Sequence, residues 1–193
     1  IISDKNIHKA NDLIDQKIKN KEASFINKQN IWKISFLDDF EFILEDILTL
    51  STYEFLCDYF QRNIFLSDID IRKVMPSKYE DILNNGKSNS DWHKDTRGRQ
   101  IKIMVYLSDV TIKDSYFSLI PSTHKKRTYD FEESRLAETK IDKKNIKNWL
   151  GSKGQAMLFD TNITHRLNRQ ETALERYSIT LYFTPGQSLR KIS

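Results

Sequence analysis

Residues Arg176 to Phe183 read Arg-Tyr-Ser-Ile-Thr-Leu-Tyr-Phe, and this strict alternation constrains the chain more than any other stretch. Taken as a strand, it puts Tyr177, Ile179, Leu181 and Phe183 on one face and Arg176, Ser178, Thr180 and Tyr182 on the other. The first face is core, and the second carries an arginine next to a hydroxyl. A second run, Ile101 to Leu107, divides in the same way, with Ile101, Ile103, Val105 and Leu107 against Lys102, Met104 and Tyr106. Strands with one apolar wall and one wall bearing Lys, Tyr and Arg suit the inside of a small closed sheet that encloses a ligand cavity.

Chemistry enters at Trp92-His93-Lys94-Asp95. On an extended segment an imidazole and a carboxylate two residues apart point the same way, roughly 7 Å apart along the backbone. His165 is a distant third candidate, and two histidines with one carboxylate form the facial triad that leaves coordination positions open on non-haem Fe(II). A lone His-x-Asp is weak, since a surface histidine beside an acidic cap reads identically. The spacing to Arg176 strengthens it. An arginine eleven positions after His165, with Ser178 as its same-face neighbour, is placed to clamp a carboxylate bidentately.

At these residues the sequence resembles the phytanoyl-CoA dioxygenase-like family of Fe(II)- and 2-oxoglutarate-dependent oxygenases. The resemblance extends to the strand Ile101–Leu107, to Ile120-Pro121-Ser122-Thr123-His124-Lys125, and to Gly154-Gln155-Ala156-Met157-Leu158-Phe159-Asp160 running into His165. It covers about residues 63–184, with Ser122 standing where the family usually has glycine and Asp114-Ser115 replacing an Asn-Gly-like turn. It implies a mainly β fold, a double-stranded β-helix (jelly roll, cupin-like) with N-terminal helices packed on its larger sheet. It also implies Fe(II) held by His93, Asp95 and His165, with 2-oxoglutarate and O2 as co-substrates. Arg176 and Ser178 would hold the distal carboxylate, with Lys102, Met104 and Met75 near the co-substrate. The reaction expected is hydroxylation or desaturation of a C–H bond of a small-molecule metabolite, releasing succinate and CO2. Asp95 occupies the position that related halogenases leave to chloride, which disfavours chlorination. Tyr106, His124, Asp160 and Asn168 are candidate substrate neighbours. Lys102, Lys125, Lys126 and Arg127 suggest a substrate with an acidic group. A protein side-chain hydroxylase, or a non-catalytic jelly roll that binds a small ligand or metal, remains an alternative.

Length and composition set the bounds. At 193 residues the chain is read as one domain: a helical lead-in over 1–62, a jelly-roll core over about 63–184, and a lid insertion over 122–150 with helices near 131–138 and 142–150. In the lead-in, Ile7, Ala10, Ile14 and Ile18 predict a surface helix over 4–22 capped by Ser3 or Asp4, with His8 facing solvent. Residues 31–37 predict a strand, and Phe40, Ile43, Leu44, Ile47 and Leu48 an amphipathic helix. Ser51 and Glu54 suggest a capping box before a helix whose Phe55, Leu56, Tyr59 and Phe60 join the core. Residues 63–75 predict one or two strands, followed by a loop over 77–91 that enters the site. No segment approaches the ~20 apolar residues of a membrane span, and 31 basic against 27 acidic residues are interspersed, so neither membrane nor nucleic-acid binding is expected. The single Cys57 reads as a buried thiol, which suits a reducing compartment and a cytoplasmic location. A monomer or homodimer is expected.

Overall fold

The computed structural model describes residues 2–34, 38–77, 90–95, 98–125, 134–170 and 174–186. Two antiparallel sheets face each other. The larger has six strands in the order β1 (Ala23–Ile26), β2 (Ile31–Ile34), β3 (Ile64–Val74), β11 (Arg176–Pro185), β5 (Ile101–Tyr106), β9 (Ala156–Asp160). The smaller has five, in the order β7 (Arg135–Leu136), β4 (Trp92–His93), β10 (Thr164–Leu167), β6 (Phe117–Ile120), β8 (Lys147–Trp149). This is the expected double-stranded β-helix, built as a two-sheet sandwich rather than a closed barrel.

Period-two alternation decides which side of the larger sheet is dry. Ile69 and Ile71 of β3, Ile179 and Leu181 of β11, and Ile103 and Val105 of β5 all point outward into one core. Three helices cover that face: α1 (Asp4–Lys19), α2 (Glu41–Ile47) and α3 (Leu50–Phe60). Helix α1 starts at Ser3, whose side chain accepts from the Asn6 amide, and buries Ile7, Ala10 and Ile14. Its buried stripe continues through Lys17 rather than Ile18, because the Lys17 ammonium pairs with Asp39 at 2.5 Å and Glu22 at 3.2 Å. His8 is exposed, as expected.

Several local expectations are corrected. Helix α3 is capped by Thr49, which accepts from the Thr52 amide, not by Ser51. Of its four predicted core residues only Leu56 and Phe60 are buried; Phe55 and Tyr59 are exposed, and Cys57 is half-buried against the core. Within the described residues from 134 on, the helices predicted over 131–138 and 142–150 are replaced by strands β7 and β8 with short 3-10 turns at Glu138–Lys140 and Lys143–Asn145. Both strands pair within the smaller sheet, β7 with β4 and β8 with β6, so the described part of 122–150 is a piece of the fold. Residues 126–133, 35–37 and most of the 77–91 loop lie outside the described residues. Among the described residues no helix is long and apolar enough to cross a membrane.

Candidate metal centre

Strands β4 and β10 are neighbours in the smaller sheet, and His93 and His165 are their paired residues. Sequence separation is irrelevant here; the antiparallel register brings the two imidazoles to a centroid distance of 4.3 Å. The backbone of the His-x-Asp segment is pinned on both sides. Lys94 donates its amide to Ser134 O at 3.0 Å, and Asp95 donates its amide to Thr161 O, in the β9–β10 turn, at 2.9 Å. Trp92 is fully buried beneath the Arg166 guanidinium, 4.5 Å from its ring, which anchors the start of the segment.

Each histidine is oriented by a carbonyl. His93 Nδ1 lies 2.7 Å from Asp91 O and His165 Nδ1 lies 2.8 Å from Ile163 O. A carbonyl only accepts, so both Nδ1 atoms carry hydrogen and both Nε2 lone pairs are left for a metal. The two Nε2 atoms stand 3.7 and 3.8 Å from Asp95 Oδ1, and ligand atoms from all three residues fall within 4.8 Å of one another. Burial lowers the basicity of both rings, taking His93 down to about 3 with the His165 charge adding to the effect. Both imidazoles are therefore neutral at physiological pH and ready to coordinate. Burial pushes Asp95 the other way, but the Lys102 ammonium beside it wins and holds the carboxyl well below the usual range. The carboxylate is shared: Oδ1 faces the histidines, while Oδ2 accepts from Lys102 Nζ at 2.5 Å. The donor set fits a hard to borderline divalent ion with an open face.

This centre opens on a cavity of about 70 Å³ between the sheets. Its far wall is the inward face of β11 and β3: Arg176, Ser178, Thr180 and Tyr182 with Arg72. Met104, Phe117, Phe159 and Leu167 supply the apolar lining, and Phe117 and Phe159 lie 5.2 and 5.7 Å from the His165 ring. Arg176 is buried, and among the described residues its Nε and Nη1 have no hydrogen-bond acceptor and the Ser178 hydroxyl has no partner. Buried donors left unpaired are costly, and here they line one end of a cavity whose other end is the triad. A bound carboxylate satisfies them, so the chain's residues fit a 2-oxo acid carrying a second carboxylate.

The remaining sequence candidates divide. Lys102 and Met104 line the cavity, although the Lys102 ammonium is engaged with Asp95. Met75 lies just beyond β3 and does not line it. Nor do Tyr106, His124, Asp160 and Asn168. Tyr106 stacks on Trp149 at 3.8 Å and donates its hydroxyl to Trp149 O at 3.0 Å. Asp160 accepts from Tyr59 and from the Asn162 amide. Asn168 donates to Ser118 and Tyr116 O and accepts from Arg166. These three are braces. Arg72, Phe117, Phe159 and Leu167 were missed. Thr180 and Tyr182 were visible on the Arg176 face by alternation, and the same count along β3 would have found Arg72.

A double-stranded β-helix carrying two histidines and an aspartate at one mouth of its sandwich defines the class of cupin-like metal-dependent oxygenases. The family model described as phytanoyl-CoA dioxygenase (PhyH) matches residues 83–176, the stretch that holds His93, Asp95, His165 and Arg176. That match falls on the same stretch whose motifs resemble the phytanoyl-CoA dioxygenase-like family of Fe(II)- and 2-oxoglutarate-dependent oxygenases. No curated protein matches it in sequence. Among solved structures, the non-heme alpha ketoglutarate dependent carbocyclase SnoK from nogalamycin biosynthesis superposes with a TM-score of 0.64 at 8% identity, over 95% of this chain and 76% of that one. The epimerase SnoN in complex with Fe3+, alpha ketoglutarate and nogalamycin RO gives 0.62 at 12%, over 93% and 74%. HygX from Streptomyces hygroscopicus, with nickel, 2-oxoglutarate and hygromycin B bound, gives 0.61 at 13%, over 96% and 80%. At such identities the likeness is one of fold.

Proposed function

We propose that this chain oxidises a C–H bond of a small-molecule metabolite, by hydroxylation or desaturation, using Fe(II), 2-oxoglutarate and O2 and releasing succinate and CO2. The observation that carries the proposal is the pairing of two sites across one cavity: the His93, Asp95 and His165 ligand atoms at one end and the unpartnered Arg176 and Ser178 donors at the other. Fe(II) in such a triad supplies O2 activation coupled to decarboxylation of the co-substrate. The protein's part is positioning. Carbonyls of Asp91 and Ile163 fix the imidazole tautomers. Lys102 holds Asp95 Oδ2, which leaves Oδ1 as the coordinating oxygen. Phe117, Phe159 and Leu167 keep water from the reacting centre. Arg176 and Ser178 bind the distal carboxylate of the co-substrate. For hydroxylation the balance is one C–H bond, one O2 and one 2-oxoglutarate giving one alcohol, one succinate and one CO2.

A small-molecule substrate is supported by the ligands of fold relatives, nogalamycin RO on SnoN and hygromycin B on HygX. The acidic group expected from the basic residues draws no support from the cavity. Lys102 is paired with Asp95, Lys125 is exposed and off the cavity, and Lys126 and Arg127 lie outside the described residues. The test is anaerobic titration of the purified chain with Fe(II) and then 2-oxoglutarate, reading the visible charge-transfer band of the chelate. The wild type should show it, and His93→Ala, Asp95→Ala and His165→Ala should not; retention of the band in all three variants would refute the assignment.

A further inference from the structure

Arg169 sits on the connection from β10 to β11 and is only 6% exposed. One of its nitrogens, Nη2, donates to Gln29 O; Nε and Nη1 are buried with no acceptor among the described residues. Among the described residues no carboxylate pairs with it, and the charges it feels are those of Arg176 and Arg72. Burial first, and then those two cations, pull its pKa down to about 9, so it is still protonated at neutral pH.

Its place in the fold is defined by register. Arg176 pairs across the sheet with Val74, and Val74 with Ile31, two residues after Gln29. Leu167, two residues before Arg169, packs on Ile31 and Val74 and also lines the cavity. Arg169 therefore stands at the end of the larger sheet that Arg176 closes. Three guanidiniums gather there, Arg72, Arg169 and Arg176; Arg72 is paired with Asp70 and also feels Asp95, whose own partner is Lys102. Among the described residues Arg169 and Arg176 have no carboxylate partner. A fold does not gain stability from such an arrangement; an anion that enters the cavity removes the conflict.

We propose that Arg169 is a positioning residue for the co-substrate: it adds a second positive charge behind Arg176, and the pair selects a 2-oxo acid that ends in a carboxylate. The inference rests on the function proposed above. It differs from a purely structural role in its dependence on the ligand's far end, since an electrostatic contribution acts only on a 2-oxo acid with charge there.

The experiment compares wild type, Arg169→Gln and Arg169→Lys with Mn(II) in place of Fe(II). Each is titrated calorimetrically with 2-oxoglutarate and with 2-oxopentanoate, which has the same chain length and no distal carboxylate, and the metal-free proteins are melted. Arg169→Gln should weaken 2-oxoglutarate binding about tenfold, the scale of one charge-assisted contribution, with Arg169→Lys recovering most of the loss. Its affinities for Mn(II) and for 2-oxopentanoate should equal those of the wild type. Metal-free Arg169→Gln should melt at or above the wild-type temperature, because a buried charge has been removed. Unchanged 2-oxoglutarate affinity overturns this inference alone. Equal loss of both 2-oxo acids together with a lower melting temperature also overturns it, by making Arg169 structural. A wild type that takes Mn(II) but not 2-oxoglutarate refutes the proposed function and this inference with it.

Discussion

Asp70 offers the sharpest test of how this cavity wall is balanced. It is 2% exposed on the inward face of β3, where its Oδ2 accepts from Arg72 Nη2 and, at 3.3 Å, from the Tyr182 hydroxyl. Lys33 Nζ is 3.8 Å from Oδ1. Asp70→Asn keeps the shape and deletes the charge, leaving Arg72 to face Arg169 and Arg176 with only the more distant Asp95 to offset them. Breaking a buried pair from one side costs about 3–5 kcal/mol. The Arg72 side chain is 24% exposed, and that relief points to the lower end, about 3 kcal/mol. Urea unfolding of wild type, Asp70→Asn and Asp70→Asn/Arg72→Met gives the numbers directly, and the double variant should recover at least about half the loss because it removes the stranded charge as well. Acidity supplies an independent check. Burial raises the Asp70 pKa, but the Arg72 and Lys33 charges outweigh it, so the folded-state value lies below the unfolded one. A depressed folded pKa contributes stability above the unfolded value of about 3.9 and loses it as pH falls through the folded one. The gap between wild type and Asp70→Asn should thus be flat near neutrality and close only in acid. A single variant costing under about 1 kcal/mol, or a double variant no more stable than the single one, would refute the charge-balance reasoning.

Arg176→Ala should raise the 2-oxoglutarate dissociation constant roughly tenfold to a hundredfold, the 1.5–3 kcal/mol scale of a hydrogen bond to a charged group, without loss of metal; an unchanged constant in the charge-transfer titration would move the clamp elsewhere. Ser122 has φ 66, the left-handed region that glycine tolerates best, so Ser122→Gly should raise the unfolding free energy by on the order of 0.5 kcal/mol after the entropic cost of glycine in the unfolded chain. Gly154 has φ 84, and a Cβ there would lie 3.2 Å from Ile7 Cδ1 and 3.3 Å from Ile2 O; Gly154→Ala should lower the melting temperature, with a cost of about 1–2 kcal/mol from the backbone alone.

How much of this was legible follows from what kind of signal each residue carries. Strands β5 and β11 were readable because each separates two chemistries by period two, and that separation survives any tertiary context. Strands β7 and β8 were not, because they are two and three residues long within a charged segment; their existence depends on β4 and β6 lying alongside, which no local pattern encodes. Choosing Ser51 over Thr49 as the α3 cap was a similar failure, since two hydroxyl residues stand two apart and only the path of the chain decides between them. Ser122 shows the opposite case. The family's glycine is absent, yet the backbone keeps the conformation glycine would have allowed.

Closeness in sequence to a ligand is a poor guide to closeness in the site, and the passage from β9 to β10 shows why. Phe159 is opposite Lys102 in the register and lines the cavity, so Asp160, one residue on, points away from it and is taken up by Tyr59. Asn168 fails for a different reason: it follows β10 and is bonded to Ser118 and Tyr116 of the adjoining β6 side. Tyr106 does share a face with Lys102 and Met104, but its ring is capped by Trp149 of β8, a strand that the sequence had disguised as helix. What period two does transmit is the pairing of sites. Arg176 and Ser178 on β11 lie opposite the triad because β11 and β10 belong to different sheets joined by a short connection, so a residue at the start of one must face a residue of the other across the sandwich. The same geometry that buries His165 carries the arginine end to the far side of a single cavity, and the separation of metal and carboxylate binding is a property of the fold before it is a property of any side chain.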